Sequence, residues 1–355
     1  MIGAGLAGSA CAYALAQRGC EVTLLSQGGG ASELPVGLLA AHLSAQDIEL
    51  SQLSRTGVEY TVAHAHQLLQ EGIDWQPCTL EQRLLFHPEK NERLQRGAAM
   101  IPDGYEARPN CVLHKIAAWI KPQALAQAWV QQSGVKVVNA SVSSLRFEQG
   151  QWQALNAQDE CITEAPQIVI ASGAQSGELM RSCGHDLLMD NVSGSVAFGA
   201  WPDAWNAPQV INGNGHFIGG VASLNNESKF WLSGATYERE SYESPAALQI
   251  ASLQANLTRL QKLLPTPQFQ VIRAQFEAEQ VQGWQGIRCT TSDRLPIVGK
   301  LQEGLHVCTA MGSRGLSFAA LCAELLASEI TDQPTAATVP ADLRKLLQAK
   351  RLVVR

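Results

Sequence analysis

The sequence predicts an α/β fold in which a doubly wound, Rossmann-like domain is interleaved with an α+β domain carrying an antiparallel sheet. Three observations predict it. Gly3-Ala4-Gly5-Leu6-Ala7-Gly8 runs straight into an Ala-rich segment and then the strand-like EVTLL, which reads as a βαβ start. Between Ser193 and Gly234, short strand-like runs alternate with Gly and Asn turns, the pattern of an antiparallel sheet. A glycine-led apolar helix over Leu316–Ile330 returns to the nucleotide-domain pattern near the carboxyl end. The first domain is therefore assembled from both ends and the middle of the chain, and the second from inserted segments.

The elements follow in order. The first helix is expected over Ser9–Arg18 and the strand after it over Glu21–Leu25. Gly28–Ser32 is a loop and Gln52–Leu69 a helix. Pro88, Pro102 and Pro109 make Leu84–Asn110 irregular in this reading. Pro122–Gln132 forms a helix ending near Gly134, with strands at Val135–Val138, Trp152–Leu155 and Gln167–Ala171. Pro245–Leu264 is helical, and the tail from Thr331 is Pro/Ala-rich and then basic. The expected division is 1–76, 112–190 and 290–355 for the nucleotide domain and 77–111 and 191–289 for the substrate domain.

Composition narrows the function. A chain of 355 residues with 46% hydrophobic residues suits two domains of an ordinary globular protein. Its net charge of -6 argues against general binding to nucleic acid or membrane surfaces, leaving room for a local basic patch. Nine cysteines without a Cys-x-x-Cys pair oppose a disulfide framework or structural zinc, and histidines lack metal-ligand spacing, so no metal is expected. A reducing, cytoplasmic setting fits. No apolar run reaches membrane-spanning length, and the amino end lacks the basic region of a signal peptide.

The glycine fingerprint carries the first chemistry. Gly3 makes the tight turn, Gly5 admits a pyrophosphate close to the backbone, and Gly8 lets the helix pack on the sheet. Two features depart from the pattern. Only Met1 and Ile2 precede Gly3, so the first strand reads as shortened, with a start codon further upstream as one explanation. Ser26 stands where an acid usually binds the adenosine ribose. The strand ending Ala171-Ser172-Gly173 offers small residues for close approach of a cofactor. Gly286–Gly299 (GIRCTTSDRLPIVG) presents Arg288, read either as a surface arginine paired to an acid or as a fork for a substrate carboxylate. Gly312-Ser313-Arg314-Gly315 opens the last long helix, where backbone N–H groups can face developing negative charge. Tyr237 is either a core aromatic or a substrate contact, and His42 is most simply a solvated or core histidine. No Ser has a partnered His and Asp, so a hydrolase triad is unsupported.

In this order, the fingerprint and the two carboxyl-terminal blocks resemble the D-amino-acid oxidase, glycine oxidase and sarcosine oxidase superfamily. Within it, GIRCTTSDRLPIVG and MGSRGLSFAALCAELLASEI are similar to the oxidase domain of bifunctional enzymes that build 5-methylaminomethyl-2-thiouridine in tRNA. Gly30-Ala31-Ser32, Gly37-Leu38-Leu39, Gly234-Ala235-Thr236-Tyr237 and the final Arg351–Arg355 share the likeness. The resemblance implies a D-amino-acid-oxidase-like fold holding FAD without a covalent link. It assigns FAD contacts to Gly3, Gly5, Leu6, Ala7, Gly8, Ser26, Ala31, Ser32, Gly37, Leu38, Val142, Ala171, Ser172, Gly173, Gly312, Ser313, Arg314, Gly315 and Leu316. Arg288, with Tyr237 as a second donor, would hold the substrate carboxylate. The implied reaction removes a carboxymethyl group from a modified wobble uridine of tRNA and releases glyoxylate. The family's methyltransferase half has no counterpart in this sequence, so another protein is expected to supply that step. Arg344, Lys345, Lys350, Arg351 and Arg355 form a basic tail that either meets tRNA phosphates or is a solvated helix. A small-molecule amine or amino-acid oxidase, and a flavoprotein-like binding chain without activity, remain open alternatives.

Overall fold

In the computed structural model the described residues are 1–85, 87–202, 205, 210–223, 228–237 and 245–352, and the side chains of 245–249 are not among them. Val353, Val354 and Arg355 of the expected tail motif lie outside the described residues.

A parallel layer holds the amino terminus at its centre. Ile2 bridges Leu25 on one side and Ile170 on the other, both in parallel sense. Its N–H donates to Val169 and Gly3 N–H to Leu25, while Ala171 N–H returns to Ile2. Outside it, β1 (Thr23–Ser26) pairs with β6 (Lys136–Asn139), and β10 (Ile168–Ile170) pairs with β17 (Leu305–Thr309). The antiparallel β16 (Ile297–Gln302) closes the far edge. The short first strand expected from two leading residues is thus a single central residue with ladder bonds on both sides.

Helices α1 (Leu6–Ala16), α2 (Glu49–Leu68), α4 (Pro122–Ser133) and α8 (Gly315–Thr331) pack together over this layer. α1 is buried almost all round because its alanines let neighbours approach on every face. Gly134 ends α4 in the left-handed region at φ 63, the stop its position predicts. The tail adds α9 (Ala341–Lys345), and the short α5 (Ser176–Ser182) follows β10.

The second layer is a nine-stranded sheet. Its path runs β15 (Gln282–Thr290), β11 (Asp190–Ala200), β14 (Lys229–Gly234), β13 (Gly215–Ala222), β12 (Val210–Gly213), β3 (Trp75–Arg83), β5 (Cys111–Ile120) and β2 (Gly37–Ala40). β4 (Tyr105–Arg108) pairs beside β5. One face carries Leu80, Val196, Val210, Ile218 and Leu232 toward the nucleotide layer. The other carries Ile211, Phe217 and Trp231 under α6 (Pro245–Leu263) and α7 (Thr266–Glu277). A separate meander, β7 (Ser144–Glu148), β8 (Gln151–Leu155) and β9 (Cys161–Ala165), follows β6.

One expectation is corrected here. Residues 84–110 are not irregular, because α3 (Pro88–Ala99) and β4 occupy most of the span. Pro88 sits in the first helical turn, where no backbone N–H is needed, so it starts a helix instead of breaking one.

Candidate active site

Between the two layers lies a cleft of about 870 Å³. It is lined by every residue expected at the site except Gly8: Gly3, Gly5, Leu6, Ala7, Ser26, Ala31, Ser32, Gly37, Leu38, Val142, Ala171, Ser172, Gly173, Tyr237, Arg288 and Gly312 to Leu316. Gly8 lies behind it, where a Cβ would come within 1.8 Å of the Gly3 carbonyl oxygen. Its task is contact between helix and strand.

The fingerprint end is a cradle that side chains would fill. Gly3 adopts φ +101, and a Cβ there would meet Ala171 O at 2.5 Å. Gly5 precedes α1 without a capping side chain of its own. A Cβ on Gly5 would lie 2.9 Å from Ser32 Oγ, which accepts the Leu6 N–H at 2.9 Å. The start of a long buried helix thus opens on the cleft with no acid in its first turn, the arrangement that receives a phosphate. Gly28, Gly29 and Gly30 all have positive φ and open space where a Cβ would stand. These features fit a dinucleotide.

The ribose corner differs from the fingerprint in a way the sequence reading missed. Ser26 Oγ already accepts the Gly28 N–H at 3.1 Å. The acid beside this turn is Glu33, whose Oε1 accepts the Gly29 N–H at 2.8 Å and which also lines the cleft. Seven positions beyond Ser26 and within a 3₁₀ turn, Glu33 carries no motif spacing that would have marked it.

At the other end, Gly37 admits the start of α8, since a Cβ there would meet Leu316 Cδ1 at 2.7 Å. The turn Gly312–Arg314 leads into that helix, with Gly312 at φ 55. Arg314 is half-buried with no carboxylate partner among the described residues, and burial lowers its proton affinity. Arg288, on β15, donates from Nη2 to Thr236 O at 2.7 Å, and its Cζ lies 4.4 Å from the centroid of the Tyr237 ring. It too has no acid partner among the described residues, so the surface ion pair is not what the geometry shows. Room for its head group comes from Gly194 on β11, where a Cβ would stand 1.7 Å from Nη2. Sequence reading had no signal for Gly194, because the contact is made across strands.

The cleft's histidines are held neutral. Burial pushes His42 down to about 4, helped by the charges of Arg314 and Arg294, and its Nδ1 lies 3.0 Å from Ser51 Oγ. Burial does the same to His114 and His216, each to about 4. No group of His, Cys, Asp and Glu able to hold a metal occurs among the described residues. No described helix is long and apolar enough to cross a membrane.

The basic tail is partly occupied, with Lys345 and Lys350 exposed. Arg351 pairs with Asp293 at 2.7 Å and donates to Leu295 O and Pro296 O, and Arg344 donates to Val339 O. Asp293 also accepts from Thr291 and Leu295. The second half of the GIRCTTSDRLPIVG block is therefore a tie between loop and tail.

A family model described as FAD dependent oxidoreductase matches residues 1–329. The chain is 38% identical over 376 residues to the tRNA 5-methylaminomethyl-2-thiouridine biosynthesis bifunctional protein MnmC of Polaromonas naphthalenivorans (strain CJ2), covering 97% of this chain and 58% of that one. It is 37% identical over 382 residues to the protein of the same name from Verminephrobacter eiseniae (strain EF01-2), covering 94% and 60%. The chain thus spans about three fifths of these relatives' length. Among solved structures, glycine oxidase from Geobacillus kaustophilus superposes with a TM-score of 0.73 at 20% identity, over 99% of this chain and 98% of that one. L-amino acid deaminase from Proteus myxofaciens in complex with anthranilate gives a TM-score of 0.73 at 15% identity, over 99% and 92%.

Proposed function

Because the chain belongs to the family of FAD-dependent oxidoreductases, we propose that it oxidises a carboxymethylamino group on the wobble uridine of tRNA, releasing glyoxylate. The carboxylate part of the proposal is carried by Arg288, an arginine without an acid partner among the described residues, fixed in the same cleft as the glycine cradle, and the tRNA part by the likeness to the MnmC proteins. FAD, when bound, supplies the acceptor for the hydride that leaves the carbon beside the amine. In this reading the α1 start, Ser32 and the Gly3–Gly8 turn would hold its phosphates, and Gly37, Leu38 and the Gly312–Leu316 segment would hold its flavin end. The cofactor-binding part comprises 1–76, 112–190 and 290–355 and the substrate part 77–111 and 191–289, joined by β2 and β5.

The chain's own residues bind and orient. Arg288 offers its remaining N–H groups to the substrate carboxylate as a planar fork, already oriented by Thr236 O and the Tyr237 ring. Arg314 adds positive charge at the α8 start. His42, His114 and His216 are neutral at neutral pH, and hydride leaves only an uncharged amine, whose nitrogen lone pair forms the new C=N bond. Loss of hydride from the CH₂ between carboxylate and nitrogen gives a C=N bond. Water adds to it, and cleavage yields glyoxylate and the primary amine on the base. Methylating that amine needs a second active site, of methyltransferase class. A tRNA substrate places the reaction in the cytoplasm. Among the described tail cations only Arg351 has an acid partner, Asp293, while Arg344, Lys345 and Lys350 are exposed and offer their charge to the RNA backbone.

The test is a competition. The FAD-loaded protein receives undermodified tRNA and, separately, glycine, sarcosine and D-alanine at millimolar concentration, and flavin bleaching is followed. Faster reduction by tRNA is the expected result. Free amino acids that match or exceed tRNA would replace this reading with a small-molecule oxidase.

A further inference from the structure

We propose that Gln82, Asn212 and His216 form a subsite for an uncharged pyrimidine ring, placed beside the carboxylate fork of Arg288. The idea rests on the tRNA reading above and names what in the protein meets the base itself.

The three residues lie in one row across three adjacent strands. Asn212 on β12 is in register with Gln82 on β3 and with His216 on β13. Register partners share a sheet face, and here it is the face turned to the cleft, which all three line. Strands stand about 4.8 Å apart, so the row spans roughly 10 Å, the scale of one base with its substituents. Beyond His216 the row meets Gly234, which has no side chain, and then Val196 and Trp284.

Each residue has hydrogen-bonding capacity left over. The His114 ring and Gln82 Oε1 are 2.7 Å apart, which turns the Gln82 NH₂ group outward. The Gly213 N–H donates to Asn212 Oδ1 at 2.9 Å, and the Asn212 NH₂ group has no acceptor among the described residues. His216 Nε2 is buried and has no partner among the described residues. Polar groups left unsatisfied in a recess cost stability unless a ligand or water meets them.

The row is also uncharged. Burial, with the Arg288 charge adding to it, keeps His216 neutral down to about 4, so the imidazole keeps a lone pair as well as an N–H. The two adjacent amide donors suit a carbonyl or thiocarbonyl acceptor of the ring, and the lone pair of the neutral imidazole suits the imide N–H next to it. They discriminate against a second carboxylate only weakly, and that work falls to Arg288 and Arg314. A division between a cationic end and a neutral end matches a substrate that is an acid at one end and a neutral heterocycle at the other.

The experiment titrates the FAD-loaded protein with uridine, with 2-thiouridine and with acetate, reading the shift of the visible flavin spectrum. Both nucleosides should perturb the spectrum. Asn212→Ala and Gln82→Ala should each raise their Kd about tenfold, and His216→Phe likewise, the cost of losing one hydrogen bond to a neutral group. Acetate should keep its Kd in the Asn212→Ala and Gln82→Ala proteins and lose affinity in Arg288→Lys. Flavin content after gel filtration checks that each variant is folded. Nucleoside Kd values unchanged in all three variants would overturn the subsite while leaving the tRNA reading intact. Tight acetate binding with no nucleoside response in the unaltered protein would overturn both.

Discussion

Arg288 owes its position to an absent side chain on the neighbouring strand. The missing Cβ of Gly194 is the space that its Nη2 fills, with Thr236 O as the fixed acceptor. In Gly194→Ala the guanidinium is the flexible partner and must move, so carboxylate binding should fail while FAD stays bound. We expect KM for the amine substrate to rise at least about tenfold, from the loss of one charge-assisted pair, with flavin content unchanged. An unchanged KM would show that the head group has another productive place. Arg288→Lys keeps the charge but not the fork, and stopped-flow flavin reduction should slow by roughly 100-fold, the scale of a lost bidentate pair. Arg288 was legible because a short motif surrounds it. Gly194 was not, because what matters there is a cross-strand neighbour and not a local pattern. Glu33 escaped for a different reason, since its contact with Gly29 is local but follows no motif spacing.

At the level of elements, α2 and α8 touch backbone to backbone at Gly57. A Cβ there would stand 1.8 Å from Ser317 O, and one turn on Thr61 Oγ1 donates to Leu316 O at 2.6 Å. Neither contact can yield without shifting the start of α8, which is also the wall of the cleft. Gly57→Ala should therefore lower stability by about 1–3 kcal/mol, the usual cost of overpacking, and weaken FAD binding together with it. Thermal melts with and without added FAD measure both, and a melting temperature equal to that of the unaltered protein would refute the close contact. Helices with ordinary signals were legible in advance: α4 begins at Pro122 and stops at Gly134, and the helix expected at Gln52–Leu69 is α2. α3 was hidden because a proline in a first turn looks like a breaker, and α7, also with proline in its first turn, was missed outright. The parallel layer was readable from apolar runs and the glycine fingerprint. The order of the large sheet was not, because its neighbours come from distant segments.

For the whole molecule, buried neutral histidines set the response to acid. His42, His114, His216 and His306 are each depressed from 6.5 to about 4, chiefly by burial. Below about 6.5 the unfolded chain takes up protons that the folded chain refuses until about 4, so stability must fall as pH drops through that window. The melting temperature should decline steadily from pH 6.5 to 4.5, and His306→Gln, remote from the cleft, should flatten the slope. A flat profile across the window would contradict burial of these rings. The pairing of α1 with α8 has a last consequence. Leu6 Cδ1 lies 3.3 Å from where a Gly315 Cβ would be, so residues near the two extremes of the described chain wall one cleft. During synthesis the glycine cradle emerges from the ribosome before α8 and has no opposite wall until α8 is made. Cofactor capture therefore waits for α8, and a nascent chain halted before Gly312 should remain colourless however much FAD the cell supplies.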